Sequence, residues 1–138
     1  MPDLIELEVA TPERLMVREN VADVQIPGKD GYLGILPGHA ALLGQLGTGV
    51  LSYSADGRRR SLSVHDGFIE VLPDHVRVLA NVAERAEEID VERAKADLSC
   101  AQDQVFNPDP SAEPAADLDA LALAQARIDA AEKAHGVA

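Results

Sequence analysis

The sequence predicts a β-sandwich followed by an antiparallel hairpin of two helices, and three observations lead to that prediction. Turn-forming residue pairs recur at short intervals up to residue 87, and the runs between them alternate apolar and polar residues. After residue 87 the apolar residues instead recur every three or four positions, which is typical of helices. Many short strands at such spacing indicate a sandwich or flattened barrel. We therefore divide the chain into a β-sandwich domain, 1–87, and a helix–loop–helix domain, 88–138.

The strand pattern is clearest at residues 5–9, 61–65 and 76–80, where aliphatic residues occupy every second position. Strands of this kind bury one face and expose the other. Asp56-Gly57 and Asp66-Gly67 are typical of tight hairpin turns, because both residues of such turns need a positive φ. We expect each of these pairs to join two antiparallel strands.

Two helical stripes follow the strands. The first consists of Val91, Ala94, Leu98, Ala101 and Val105, and the second of Leu121, Ala124, Ile128 and Ala131. Asp90 and Asp117 stand where each helix would be capped, and the proline-rich segment 107–116 is expected to form the loop. Because alanine buries little apolar area, we expect the hairpin to pack weakly on the sandwich.

Composition excludes several classes of function. The chain has 138 residues and a net charge of −12, which argues against nucleic acid and against direct binding to anionic lipid. One cysteine, Cys100, cannot form an internal disulfide, which favours a reducing compartment. The four histidines lack the spacing of a metal site, so no metal and no catalytic residue is predicted.

The segment from Gly28 to Leu46, GKDGYLGILPGHAALLGQL, mixes glycines with large aliphatic residues. It is not a phosphate-binding loop, because Asp30 follows Lys29 and no helix pattern comes next. Glycines within a sheet mark turns and close backbone contacts. We interpret the segment as a corner with an exposed aliphatic tip, which is typical of a docking surface.

The same segment contains GYLGILPGHAALL, which resembles the signature of the epsilon subunit of bacterial F-type ATP synthases. The motifs LIELEVATPERLMV, HDGFIEVLPDHVRVLAN and IDVERAKA match that family in the same order along nearly the whole chain. The resemblance implies a β-sandwich of about ten short strands and a C-terminal helical hairpin. It weakens at NPDPSAEPAADLDA, where the predicted loop is longer and richer in proline.

The resemblance implies a non-catalytic rotor subunit of the central stalk in a proton- or sodium-driven enzyme. Its partners would be the gamma subunit, the membrane c-subunit ring and, transiently, the alpha/beta catalytic head. Its helices would restrain ATP hydrolysis. It would lie on the cytoplasmic face of the bacterial inner membrane and contact the membrane only through the complex. The alternative is a free-standing β-sandwich adaptor with a helical tail.

The resemblance also implies two sets of site residues. Those expected to bind gamma and the ring are Tyr32, Leu33, Ile35, Leu36, His39 and Leu42. For His39, contact with gamma and a simple hydrogen bond to a turn carbonyl remain equal alternatives.

The motif IDVERA is similar to a family pattern that binds regulatory ATP in some members. The residues expected in such a site are Glu84, Ile89, Asp90, Arg93, Ala94 and Arg127. Cys100 and Leu123 stand where other members have basic residues. The alternative is that Asp90 caps a helix and Arg93 pairs with a nearby acid. We therefore favour weak or absent ATP binding, and no other cofactor is predicted.

Overall fold

The computed structural model describes residues 4–111 and 114–134, which form seven β-strands, a short 3₁₀ turn and two helices. The strands are β1 (Ile5–Ala10), β2 (Leu15–Val21), β3 (Asp23–Gly28), β4 (Gly31–Ile35), β5 (Leu42–Ala55), β6 (Arg58–Leu72) and β7 (His75–Arg85). The 3₁₀ turn (Ala86–Glu88), α1 (Val91–Phe106) and α2 (Pro114–Ala134) follow.

All seven strands belong to one sheet that wraps around a single core. The strand order is β2-β1-β7-β6-β5-β3-β4, with β1 and β7 parallel and the other pairs antiparallel. Val21 of β2, at one end of the sheet, and Ile35 of β4, at the other end, are buried in the same aliphatic cluster. The two ends of the sheet therefore face each other across the core, which is the arrangement of a sandwich. The predicted fold class is confirmed.

The described residues contain seven strands rather than about ten, because β5, β6 and β7 are long. The predicted turn at Asp56-Gly57 is confirmed, with φ angles of 52° and 74° between β5 and β6. The predicted turn at Asp66-Gly67 is wrong, because both residues lie inside β6. There Gly67 has a φ of 141°, and a Cβ at that position would lie 1.9 Å from the Leu79 carbonyl oxygen. The glycine bends a continuous strand instead of ending it.

The first helix begins as predicted, and the second begins earlier. The Asp90 carboxylate caps α1 by accepting a hydrogen bond from the Arg93 backbone N–H at 3.1 Å. The prediction that Asp117 caps the second helix is wrong, because α2 starts at Pro114 and Asp117 lies in its first turn. Proline suits the first turn of a helix, where a backbone N–H has no partner within the helix. The helix thus includes the last three residues of the predicted loop 107–116.

Helix α2 lies between α1 and the outer face of β5 and β6. Of the predicted stripe, Ala124, Ile128 and Ala131 are buried and Leu121 is half-buried; Ala126 and Ala130 are buried as well. The outward-facing residues of the sheet beneath it are small as well. They are Val50, Ser52, Ser61 and Ser63, all buried. Small side chains on both surfaces let the helix approach the sheet closely, but they bury little apolar area.

Candidate functional site

The glycine-rich segment forms the edge of the sheet and the loop that follows it. Strands β3 and β4 make a hairpin, and β4 is the last strand of the sheet. The chain then turns at Pro37-Gly38, where Gly38 has a φ of 84°, and enters β5 at Leu42. The segment is therefore a corner, as the sequence predicted, with an edge strand on one side.

The predicted partner-binding residues divide into exposed and buried ones. Leu36 and Tyr32 are 64% and 62% exposed, Leu42 is 36% exposed and Leu33 is half-buried. Ile35, by contrast, is 1% exposed and belongs to the core. Its assignment to the exposed tip is corrected, because Ile35 pairs with the buried Val24 of β3 and faces inward with it.

Tyr32 is anchored to the sheet although most of its side chain is exposed. The register between β3 and β5 shifts between Gln25 and Gly28, and in this region the Val50 N–H donates to the Tyr32 hydroxyl at 3.1 Å. A Cβ on Gly49 would lie 2.6 Å from that hydroxyl, so glycine is needed for this approach. Tyr32 therefore supports the part of β5 on which α2 packs.

His39 is half-buried and makes a local hydrogen bond. Its Nδ1–H donates to the Ala40 carbonyl oxygen, with a separation of 2.7 Å. This is the contact with a turn carbonyl that was one of the two alternatives for His39. Contact of His39 with gamma stays a prediction.

The sequence interpretation missed a surface on the outer side of β5, β6 and β7, which we call the apolar face. It consists of Leu43, Phe68 and Leu79, which are 78%, 65% and 50% exposed and line one cleft of about 310 Å³. Phe68 and Leu79 are directly paired across β6 and β7. The signal was present in the sequence, since Leu79 occupies an outward position in the alternation of residues 76–80.

A row of charged residues borders the apolar face. Glu8, Arg77 and Glu70 are neighbours across β1, β7 and β6, and the Arg77 Nε donates to the Glu8 carboxylate at 3.0 Å. An apolar centre beside a charged border is the usual composition of a protein-binding surface.

The residues predicted to bind ATP lie where β7, α1 and α2 meet. The Arg127 Nε donates to Glu84 Oε1 at 2.8 Å, and its Nη1 donates to Asp97 Oδ2 at 3.2 Å. The Arg127 side chain is 17% exposed. The guanidinium is therefore already engaged by two carboxylates of the chain itself.

The remaining members of that set have visible structural roles. Ile89 and Ala94 are buried in a second apolar cluster with Ile128 of α2. Asp90 caps α1, and the exposed Arg93 forms no ion pair within the described residues. Whether these residues bind ATP stays a prediction.

Two further groups of polar side chains interact within the sandwich. In the basic run Arg58–Arg60, Arg59 pairs with Asp23 and donates to Ser52 and Ser54. At one end of the core, burial and the neighbouring Glu19 carboxylate raise the pKa of Tyr53, so its hydroxyl stays protonated.

The arrangement defines a class of binding protein: a β-sandwich with one exposed apolar face and a helical hairpin packed against another part of its surface. None of the helices in the described part of the chain combines the length and apolar character needed to cross a bilayer. No group of His, Cys, Asp or Glu within residues 4–111 and 114–134 is arranged to hold a metal ion.

Comparison with known proteins identifies the family. A family profile described as ATP synthase, Delta/Epsilon chain, beta-sandwich domain matches residues 4–86. The ATP synthase epsilon chain of Solibacter usitatus is 59% identical over 133 residues, which cover 96% of this chain and 99% of that protein. The ATP synthase epsilon chain of Carboxydothermus hydrogenoformans is 46% identical over 110 residues, covering 80% and 82%.

A solved structure agrees with this result. A chain in the cryo-EM structure of Euglena gracilis mitochondrial ATP synthase, OSCP/F1/c-ring in rotational state 1, has a TM-score of 0.80 and 25% sequence identity. The match covers 98% of this chain and 83% of that chain. The chain therefore belongs to the epsilon-chain family of ATP synthase. Its predicted role as a non-catalytic epsilon-type subunit of the rotor is confirmed, and family membership decides against the free-standing adaptor.

Proposed function

We propose that the sandwich of this chain binds the gamma subunit and the membrane c-subunit ring, and so couples the catalytic head to the ring. We propose also that the hairpin restrains ATP hydrolysis by contacting the alpha/beta head transiently. Family membership supports the proposal, as does the Euglena neighbour, which is a chain of an assembly containing F1 and the c-ring. The chain would then lie at the cytoplasmic face of the bacterial inner membrane and touch the membrane only through the complex.

The apolar face is the observation that carries this proposal. Leu43 and Phe68 are mostly exposed on a sheet face whose neighbouring positions are charged. Burying apolar surface stabilises a complex by about 25 cal/mol for each Å² removed from water, before the costs of association are subtracted. Large aromatic and aliphatic residues at the centre of an interface contribute most of its binding energy.

The predicted tip of the corner adjoins the apolar face. Tyr32, Leu42 and Leu43 line one cleft of about 340 Å³, and Leu43 also belongs to the apolar face. The exposed Leu36 and the half-buried His39 lie in the loop that leads into Leu42. The two partners would therefore bind one continuous surface rather than two separate ones.

The test is an affinity measurement with purified gamma subunit. Phe68→Asp places a charge in the middle of the apolar face, and we expect binding about ten-fold weaker or more. Val82→Asp is the matched control, because Val82 is 43% exposed on β7 but does not belong to the apolar face. Circular dichroism and thermal unfolding establish that both variants fold. Unchanged affinity of folded Phe68→Asp would mean that gamma binds elsewhere.

The proposed restraint of hydrolysis rests on shape and apolar contact. Residues 88–138 contain four basic and eleven acidic residues, so the hairpin is poorly suited to electrostatic capture by an acidic partner. We expect deletion of residues 88–138 to raise ATP hydrolysis of the assembled enzyme modestly, with little dependence on salt. Strong inhibition that vanishes at high salt would contradict this interpretation.

Regulatory ATP binding is proposed to be weak or absent. The Arg127 guanidinium already forms an ion pair with Glu84. The neighbouring cleft between the helices is lined by Cys100 and Leu123, which add no positive charge. Calorimetric titration of the full chain with ATP tests this directly. A dissociation constant in the low micromolar range would contradict the proposal.

A further inference from the structure

Arg127 is the centre of an ionic contact that joins three separate elements. Its Nε and Nη2 face the two carboxylate oxygens of Glu84 on β7, at 2.8 and 3.5 Å. Its Nη1 faces Asp97 on α1, at 3.2 Å. Within the described residues, the Arg127–Glu84 pair is the only ion pair that joins a helix of the hairpin to a strand of the sandwich.

The apolar contact around this ion pair is weak. Ala126 and Ala130 pack toward β5 and β6, where buried serines replace larger side chains. Ile128 is the largest residue that α2 adds to the second apolar cluster. A contact made largely of small residues buries little apolar area, so the ion pair adds to what holds the hairpin in place.

Burial and geometry make this ion pair stronger than a surface pair. The side chains of Arg127 and Glu84 are 17% and 28% exposed, whereas Asp97 is 53% exposed. Two roughly parallel N–H···O contacts to one carboxylate fix the guanidinium plane as well as its position. The Asp97 carboxylate accepts a hydrogen bond from the remaining guanidinium nitrogen, Nη1, beside the cleft between the two helices.

Asp97 stands where an external anion would otherwise bind Arg127. The cleft between α1 and α2 is lined by Asp97, Ala101, Leu123 and Arg127 and has a volume of about 280 Å³. Among the described residues that line it, Asp97 is the only acidic one. An anion entering the cleft would have to displace this carboxylate.

We infer that Asp97 is an internal anion for Arg127, so that the chain's own carboxylates hold the hairpin docked without a bound ligand. An external polyphosphate would compete with this contact and would not strengthen it. The inference rests on the proposed function only for the idea that the hairpin leaves the sandwich in the assembled enzyme. The ionic contact itself is a property of the free chain.

Hydrogen–deuterium exchange of the free, full-length chain tests the inference. Asp97→Asn should accelerate exchange of the α2 amides about two- to five-fold, the range expected for loss of a partly exposed ion pair. Asp119→Asn is the matched control, because Asp119 is exposed on α2 and forms no ion pair within the described residues. The sandwich amides should exchange at the same rate in both variants.

A double-mutant comparison separates this contact from a general effect of charge. In an Arg127→Gln background, Asp97→Asn should have no further effect on α2 exchange, because its partner is gone. Equal acceleration in both backgrounds, or acceleration no larger than that of Asp119→Asn, would overturn the inference.

Inorganic triphosphate, added at constant ionic strength, tests the competition. Unchanged or faster exchange of the α2 amides is expected if Glu84 and Asp97 already bind Arg127. Slower exchange would show that an external anion holds the hairpin and would overturn the inference. None of these measurements uses gamma or the ring. A failure here is therefore distinguishable from a failure of the proposed partner binding.

Discussion

The sandwich and the docked hairpin are held together by different kinds of contact. The sandwich core consists of large aliphatic residues such as Leu51, Ile69 and Val78, all at most 1% exposed. The contact of α2 with the sheet consists mainly of small residues, with Val50 and Ile128 as larger members of its apolar cluster, and one ion pair at Arg127. Since stabilisation scales with buried apolar area, the sandwich should be far more stable than the contact that holds the hairpin. This difference agrees with the proposed function, in which the sandwich binds the partners and the hairpin moves.

The largest expected effect is a difference in the free energy of unfolding between variants of two neighbouring residues in the corner. Ile35→Asp places an unpaired carboxylate in the core and should destabilise the sandwich by about 3–5 kcal/mol. Leu36→Asp changes an exposed neighbour and should alter stability by less than about 0.5 kcal/mol. Urea unfolding of both variants measures the difference. Similar midpoints would mean that the corner is not packed as described.

A smaller effect is expected where α2 meets the sheet. Ala130 is fully buried, so Ala130→Leu should overpack this contact and weaken docking by about 1–3 kcal/mol. Hydrogen exchange should accelerate in α2 while the strands keep their protection. Faster exchange throughout the sandwich would show that the two regions unfold together. Leu118→Ala, at an exposed position of α2, is the control.

The smallest effect concerns the start of α1. Asp90→Ala removes the carboxylate that accepts the Arg93 N–H and should destabilise the helix by about 1 kcal/mol. Asp90→Asn keeps an oxygen acceptor and should recover most of that loss. Exchange of the first amides of α1 is the measurement. Equal exchange in the two variants would mean that the cap contributes nothing.

The fold was largely predictable because its signals are local. The apolar–polar alternation of the strands, the turn at Asp56-Gly57 and the cap at Asp90 each depend on a few adjacent residues. Asp66-Gly67 has the same local signal as Asp56-Gly57. Asp66-Gly67 nevertheless does not end the strand, because β6 continues to pair with β7 on both sides of the bend. That pairing is a contact between distant segments.

The site was less predictable because its contacts join segments that are distant in the sequence. Ile35 looked exposed because glycines and a proline surround it, and only its pairing with Val24 places it in the core. Arg127 meets residues 43 and 30 positions away, and no local pattern indicates such contacts. Leu79 was the exception, because an apolar residue at an outward position of a strand is visible in the sequence and points to the apolar face.

The central claim is that partner binding resides in the sandwich and that the hairpin is a separately held appendage. The most direct test is the affinity of a chain ending at Glu88 for purified gamma, measured beside the full-length chain. The truncated chain keeps all seven strands and the apolar face. We predict a folded β-protein whose affinity for gamma is within about three-fold of the full-length value, a difference below 1 kcal/mol. A truncated chain that fails to fold, or that folds and binds gamma more than ten-fold more weakly, would contradict the claim.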